Sequence, residues 1–422
     1  MATIEAASVS ALSPTSTPQA RQTSLDLNER LAHLDVLRGF ALFGMLMVHL
    51  TYYATGSGRA HDFAEKAISF VFETKFWALF AFLFGVSFAV QMVRANVRSA
   101  RLVPLFLRRL LGLGLIAVAI KIVFNYNVLL YYATWGVALL LVRNLQRRWI
   151  LGLLAVCLVA PSAWQLSIGI RTLRREGSVV RADMALRRES RARKREVVAV
   201  IKRTDGPMPQ AMRARAENIV IMVAHESWWI PSMDVLGLFL LGLLAVRTGL
   251  ALRPHDHRPT IVRLMVLGAA IFVLSLLIEH YAFTRTYDFG LTSWNSALSN
   301  VLYIPEQSFL MFTYAGAVVL WGLRLLAPLG WIGRMALSNY VMQLLFLEGV
   351  LSRRGLEWGI PLVWMPVVCV AFIALQIAVS KWWVGRYRFG PVEWLWRSFT
   401  YARLQPMRRV AMCEAQPDAV AV

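Results

Sequence analysis

The chain has 422 residues, of which 58% are hydrophobic and only 16% charged, with a formal net charge of +21. A soluble protein carries about a quarter of its residues as charges. Here the apolar residues fall in runs of about 18 to 22 separated by charged connections, the pattern of a multi-pass membrane protein. The basic excess therefore reads as Lys and Arg kept on the cytoplasmic side of a bilayer, and no nucleic-acid partner is expected.

Residues 1–28, rich in Ala, Ser, Thr and Pro, read as a disordered leader. They lack the apolar core and small-residue cleavage site of a typical signal peptide. The first span, 34–54, contains Arg38 and His49. Their spacing corresponds to three helical turns plus roughly 20°, so both side chains leave one face of a helix, about 16 Å apart along its axis. An ionisable residue inside a span is costly and faces a partner or a water-filled cavity. Further spans are predicted at 76–93, 104–124, 127–143, 149–167, 232–250, 261–282, 306–326, 331–350 and 361–383. The fold class is all-α: a polytopic membrane helix bundle of about ten transmembrane helices with one long, partly helical loop. Its parts are the leader, an N-terminal five-helix membrane region (29–167), a basic connecting loop (168–231), a C-terminal five-helix membrane region (232–401) and a tail (402–422).

Charge in the connections sets the orientation. The 94–109 connection carries Arg94, Arg98, Arg101, Arg108 and Arg109, and the connection before the fifth span has Arg143, Arg147 and Arg148. With Arg253, Arg258, Arg324, Arg334 and the basic tail, all fall on one side, which places both termini in the cytoplasm of a cell inner membrane. The 168–231 loop falls on the opposite side despite its run RRESRARKR at 187–195. Long loops translocate largely regardless of charge; a missed or false span before it is the alternative. Within it, 180–203 and 209–223 are predicted helical. The basic run reads as a solvated helix face, or as a surface for anionic headgroups or acidic glycans.

Polar residues sort into two layers. One holds His49, Glu73, Lys75, Asn125, Asn127, Glu279, His280, Glu306, Gln307 and Glu348; the cytoplasmic layer holds Asp35, Arg38, Arg334, Ser338, Asn339, Glu393 and Arg397. Gln343 lies between, on the same face as Asn339 four residues earlier. His49 is a candidate general base at neutral pH, or a structural histidine bonded to a neighbouring helix. Arg38 could clamp a phosphate or carboxylate, pair with Asp35 one turn away, or snorkel to the headgroups. Glu279 with His280 is a candidate dyad or a loop-edge pair. Lys75 reads as a candidate ligand group or an interfacial anchor. Arg334, Asn339, Gln343, Glu393 and Arg397 complete the substrate-binding candidates. Cys157, Cys369 and Cys413 have no disulfide or metal spacing, and no metal site is expected.

Four segments carry a resemblance: RGFALFGMLMVH (38–49), KFWALFAFLFG (75–85), IGRMALSNYVMQ (332–343) and FGPVEWLWRSFT (389–400). They resemble the successive motifs of the YeiB-like family, which carries domain of unknown function 418. That family is a bacterial multi-pass inner-membrane group, described loosely as transporter-like and similar to wider transmembrane acyltransferases. Those include the heparan-glucosaminide acetyltransferase and acyltransferase-3 groups. The latter carry an Arg, ten intervening residues and a His on their first span, and Arg38 and His49 match that spacing. YeiB-like chains often have Asn at the second position. Many relatives also carry a His before an aromatic-Asp-Gly-Asp string after the third span; here the stretch is FNYNVL (124–129), with Asn125 and Asn127 where acids would stand.

The resemblance implies an acyltransferase-like membrane protein without a bound cofactor. Acyl-CoA is the candidate co-substrate, with its phosphates near Arg38 and Arg334, and the acceptor is a glycan, lipid or small molecule deprotonated by His49. The alternative is a transporter for a small polar or anionic solute, the two polar layers serving as gates. A third reading is a structural membrane protein without a ligand. Oligomeric state is not legible.

Overall fold

The computed structural model describes residues 31–97, 102–126, 128–204, 207–224, 229–282, 309–352 and 355–408. The chain divides into two compact units, Met1–Leu31 and Ala32–Val422. The first lies, apart from Leu31, outside the described residues, and all of the described helices belong to the second.

In chain order the helices are α1 (Ala32–Thr51), α2 (Arg59–Phe72), α3 (Lys75–Val97), α4 (Leu102–Phe124) and α5 (Val128–Val142). Next come α6 (Arg147–Glu176), α7 (Val179–Thr204), α8 (Met208–Ala224), α9 (Met233–Arg247) and α10 (Arg258–Ala282). Then follow α11 (Phe309–Leu326), α12 (Leu329–Arg334), α13 (Ala336–Phe346), α14 (Met365–Arg386) and α15 (Pro391–Tyr401). No strand occurs among the described residues. Among the described residues seven stretches are long and apolar enough to cross a membrane: Ala32–Thr51, Arg59–Val93, Val103–Phe124, Arg147–Glu176, Arg258–Leu277, Phe309–Leu326 and Leu362–Arg386. Val128–Val142 and Ala336–Leu351 are shorter apolar helices. This is an all-helical polytopic membrane bundle.

The local differences from the predicted spans have physical causes. An additional helix, α2, precedes α3 and exposes Phe63; a turn at Glu73 and Thr74 (φ 70°) separates the two. Helix α6 runs past its predicted end to Glu176, where Gly177 stops it in the left-handed conformation (φ 66°). The ninth span is broken at Met335 (φ −132°, ψ 52°), between α12 and α13, and ends in a π-helical turn at Leu347–Leu351. The string GPVEWLWR, read only as a motif after the last span, folds as α15, with Pro391 opening the helix where no N–H is needed.

Packing places α1 at the centre. Of its apolar stretch 72% is buried, against 22% for α10. In lipid there is no hydrophobic force between helices, so small residues that admit close backbone approach hold them together. A Cβ on Gly39 would overlap the Leu329 carbonyl, and one on Gly333 would overlap that of Asp35, which seats α12 against the start of α1. Gly85 and Gly242 do the same for α3 and α9, against Phe239 and Phe82.

Candidate functional site

Helices α1 and α4 run in the same direction, and the bundle therefore has two distinct ends. Arg109, near the start of α4, lies within charge–charge range of Arg38 on α1. At the far end, the His49 ring packs at a tilt against Tyr126, just past α4, with centroids 4.7 Å apart. Arg38 and His49 thus mark the basic and the opposite end of one buried helix. Leu42 and Met45, on the same face between them, are buried.

At the basic end Arg38 donates to Asp35 (2.7 Å) and to the Ser87 hydroxyl (2.8 Å). Arg334 packs on Trp331, 4.8 Å from its ring. Glu393 reaches from α15 to the start of α13, where its carboxylate accepts the N–H groups of Leu337 (2.7 Å) and Ser338 (3.1 Å) and the Ser338 hydroxyl. The first N–H groups of a helix have no partner within it, so Glu393 caps α13 from another helix. Ser338 in turn accepts the Val392 N–H (3.0 Å), which ties α15 to α13. Burial pushes the Glu393 carboxyl above its ordinary range, and those donated bonds oppose the shift.

Asn339 and Gln343 share a face, and both meet α14. Asn339 donates to the Ile332 and Met335 carbonyls (3.1 Å each) and to Ser380 (2.9 Å). Gln343 donates to Gln376 (3.1 Å), which donates to the Asn339 carbonyl (2.9 Å). This ladder is fully buried and binds helix to helix, as polar side chains do in membranes. Gln376 and Ser380 were not predicted; their signal was two polar residues four apart in the last apolar run.

The opposite end gathers residues from five segments. Tyr53, just after α1, lies 3.5 Å from both the Tyr126 hydroxyl and the Glu348 carboxylate. Glu348 sits on the π-helical turn after α13, and Arg215 of α8 approaches it at 3.8 Å. Arg215 also donates to the Ile122 (3.2 Å) and Val123 carbonyls. These are last-turn carbonyls of α4, which a guanidinium at a helix C-terminus stabilises. Asn125 follows α4 in the left-handed conformation (φ 64°); its N–H bonds the Lys121 carbonyl and its side chain accepts from Lys121 Nζ (3.0 Å each). An Asn at that position terminates a helix, which gives Asn125 a structural role at the end of α4.

His49 is only 9% exposed. Its Nδ1 is buried with no hydrogen-bond partner among the described residues, as are the hydroxyls of Tyr132 and Tyr340. Burial keeps the Tyr126 hydroxyl protonated, with its ionisation raised far above the ordinary value. The set thus offers an unengaged imidazole nitrogen beside neutral hydroxyls and the Glu348–Arg215 pair. Lys75 is buried elsewhere at the start of α3, 5.7 Å from the Phe272 ring. The side chains of Glu279 and His280, and residues Asn127, Glu306 and Gln307, lie outside what is described. Tyr53, Tyr126 and Arg215 join the site without having been predicted. For Arg215 the available signal was Ala211 one turn earlier, since both are buried on one face of α8.

Residues 245–403 match the family described as "Protein of unknown function (DUF418)". Residues 30–175, which include Arg38 and His49, match the catalytic region described as "Heparan-alpha-glucosaminide N-acetyltransferase". The uncharacterized protein YxaH of Bacillus subtilis (strain 168) is 27% identical over 424 residues, covering 90% of this chain and 97% of its own. An uncharacterized 39.9 kDa protein from the amylase 3' region of Bacillus acidopullulyticus is 25% identical, with coverages of 90% and 96%. YeiB of Escherichia coli (strain K12), also uncharacterized, is 23% identical, with coverages of 90% and 98%. The chain is thus similar to the YeiB-like proteins over nearly its whole length, as its four motifs imply, with an N-terminal region similar to a transmembrane acetyltransferase catalytic region.

Proposed function

We propose that this protein transfers an acyl group from a cytoplasmic thioester donor, such as acyl-CoA, to a hydroxyl or amine of an acceptor on the opposite face of the bacterial inner membrane, with both termini in the cytoplasm. The observation that carries the reading is the buried, unpartnered Nδ1 of His49, inside the region similar to the acetyltransferase catalytic region. A buried polar atom without a partner is costly, and substrate binding would supply one.

In the reaction, His49 takes the proton of the acceptor O–H or N–H as that oxygen or nitrogen bonds to the acyl carbon. The C–S bond of the thioester breaks with its electron pair on sulfur, and the proton passes on to the leaving thiolate. Tyr53 and Tyr126 orient the acceptor through neutral hydroxyls. Arg38 and His49 are separated by about 16 Å along α1, so the donor's extended arm crosses that distance by parting the packing around Leu42 and Met45.

The test is a His49→Ala protein shown to insert and fold. Loss of acyl transfer by about 100-fold or more is expected for removal of a general base, whereas transfer at the wild-type rate would eliminate His49 as the base.

A further inference from the structure

We infer that Arg109 and Arg397, with Arg38 beside them, form a phosphate-binding site at the basic end of the bundle. Arg109 of α4 lies within charge–charge range of Arg397 of α15 and of Arg38 of α1. The acids near them are committed elsewhere. Asp35 is held by Arg38, and Glu393, one turn before Arg397 on its own helix, is turned to the N-terminus of α13.

Arg109 and Arg397 have no carboxylate or hydrogen-bond acceptor among the described residues. The Arg109 guanidinium lies over the Trp396 ring at 4.0 Å and that of Arg397 over Phe389 at 4.5 Å. The Arg397 Nε is buried without a partner. An aromatic face holds a cation in place but accepts none of its N–H groups in the plane of the fork. Like charges brought together out of water repel unless an anion joins them. Guanidinium forks match phosphate oxygens in pairs, and the site is rigidly built, because Trp396 donates its indole N–H to the Arg109 carbonyl at 2.7 Å. Arg334 lies over the Trp331 ring at 4.8 Å.

A phosphate here belongs either to a soluble diphosphate-bearing donor or to a lipid headgroup. The identification of the donor rests on the proposed acyl transfer; the phosphate chemistry does not. The experiment uses the full chain in nanodiscs of phosphatidylcholine alone, titrated with coenzyme A, and in nanodiscs containing phosphatidylglycerol. Arg109→Gln and Arg397→Gln are expected to weaken coenzyme A binding at least tenfold, while Arg386→Gln, which alters an exposed arginine packed on Trp382, leaves it unchanged. If the site holds a lipid headgroup, the same two variants lose selective phosphatidylglycerol binding while coenzyme A does not bind at all. Equal binding of both probes by folded wild type and variants overturns the site. Should the variants not fold, arginine-specific labelling of the wild type decides: protection of Arg109 and Arg397 by either probe supports the site, and protection by neither removes it. Arginine-dependent coenzyme A binding without acyl transfer would leave this site standing and refute the transfer reaction.

Discussion

Glu393 illustrates what an acid in a polar membrane layer does when it is committed to structure. Its three accepted bonds cap α13, so Glu393→Ala should cost about 2 kcal/mol, the upper range for loss of a cap. Burial raises its carboxyl above the ordinary range, so folding favours the protonated form. Its contribution to stability is therefore full below the ordinary carboxyl value and is lost as pH rises through the raised one. Thermal unfolding of Glu393→Gln against wild type across mildly acid to neutral pH checks the sign: the variant gains relative to wild type as pH rises, and a constant difference would exclude titration of this group. The sequence displayed Glu393, Asn339 and Gln343 as polar groups in a membrane layer, which is also how ligand groups look. What separates them is the partner: all three find theirs on neighbouring helices, and no spacing within one segment encodes that. The His49 Nδ1, like the Gln343 Oε1, has no hydrogen-bond partner among the described residues.

The long apolar helices were legible because each meets its own backbone hydrogen bonds and announces itself by composition alone. The helices of the basic connection, predicted at 180–203 and 209–223, were legible as well; α2, α15 and the break at Met335 were not. The interruption at Met335 depends on α12 being pressed against α1 through Gly39 and Gly333, a contact between residues far apart in the chain. Gly333→Ala should accordingly destabilise the bundle by roughly 1–3 kcal/mol, as overpacking does. Gly385→Ala on α14 is the matching control: nothing lies within 4 Å of a Cβ there, so helix propensity should raise stability by up to about 1 kcal/mol. A chemical-unfolding series that moved both variants in the same direction would contradict this account of the α1–α12 contact. Helix α15 escaped prediction because its apolar face is too narrow for a span and acquires meaning only against α4, where Trp396 bonds Arg109.

For the whole molecule, the bundle separates a basic end, with Arg38, Arg109 and Arg397, from an end holding His49, Tyr126, Glu348 and Arg215. Contact with the end of α4 through Arg215 puts α8 at the His49 end of the bundle. In the proposed reaction, donor and acceptor arrive at these opposite ends. The direct measurement uses sealed proteoliposomes of known orientation, checked by impermeant-maleimide labelling of Gln210→Cys, an exposed position on α8. A radiolabelled acyl thioester is supplied on the side of the basic end and an amine or hydroxyl acceptor on the other. The account predicts acylated acceptor from the wild type and none from His49→Ala; transfer only when donor and acceptor share one compartment, or transfer by both proteins alike, would contradict it.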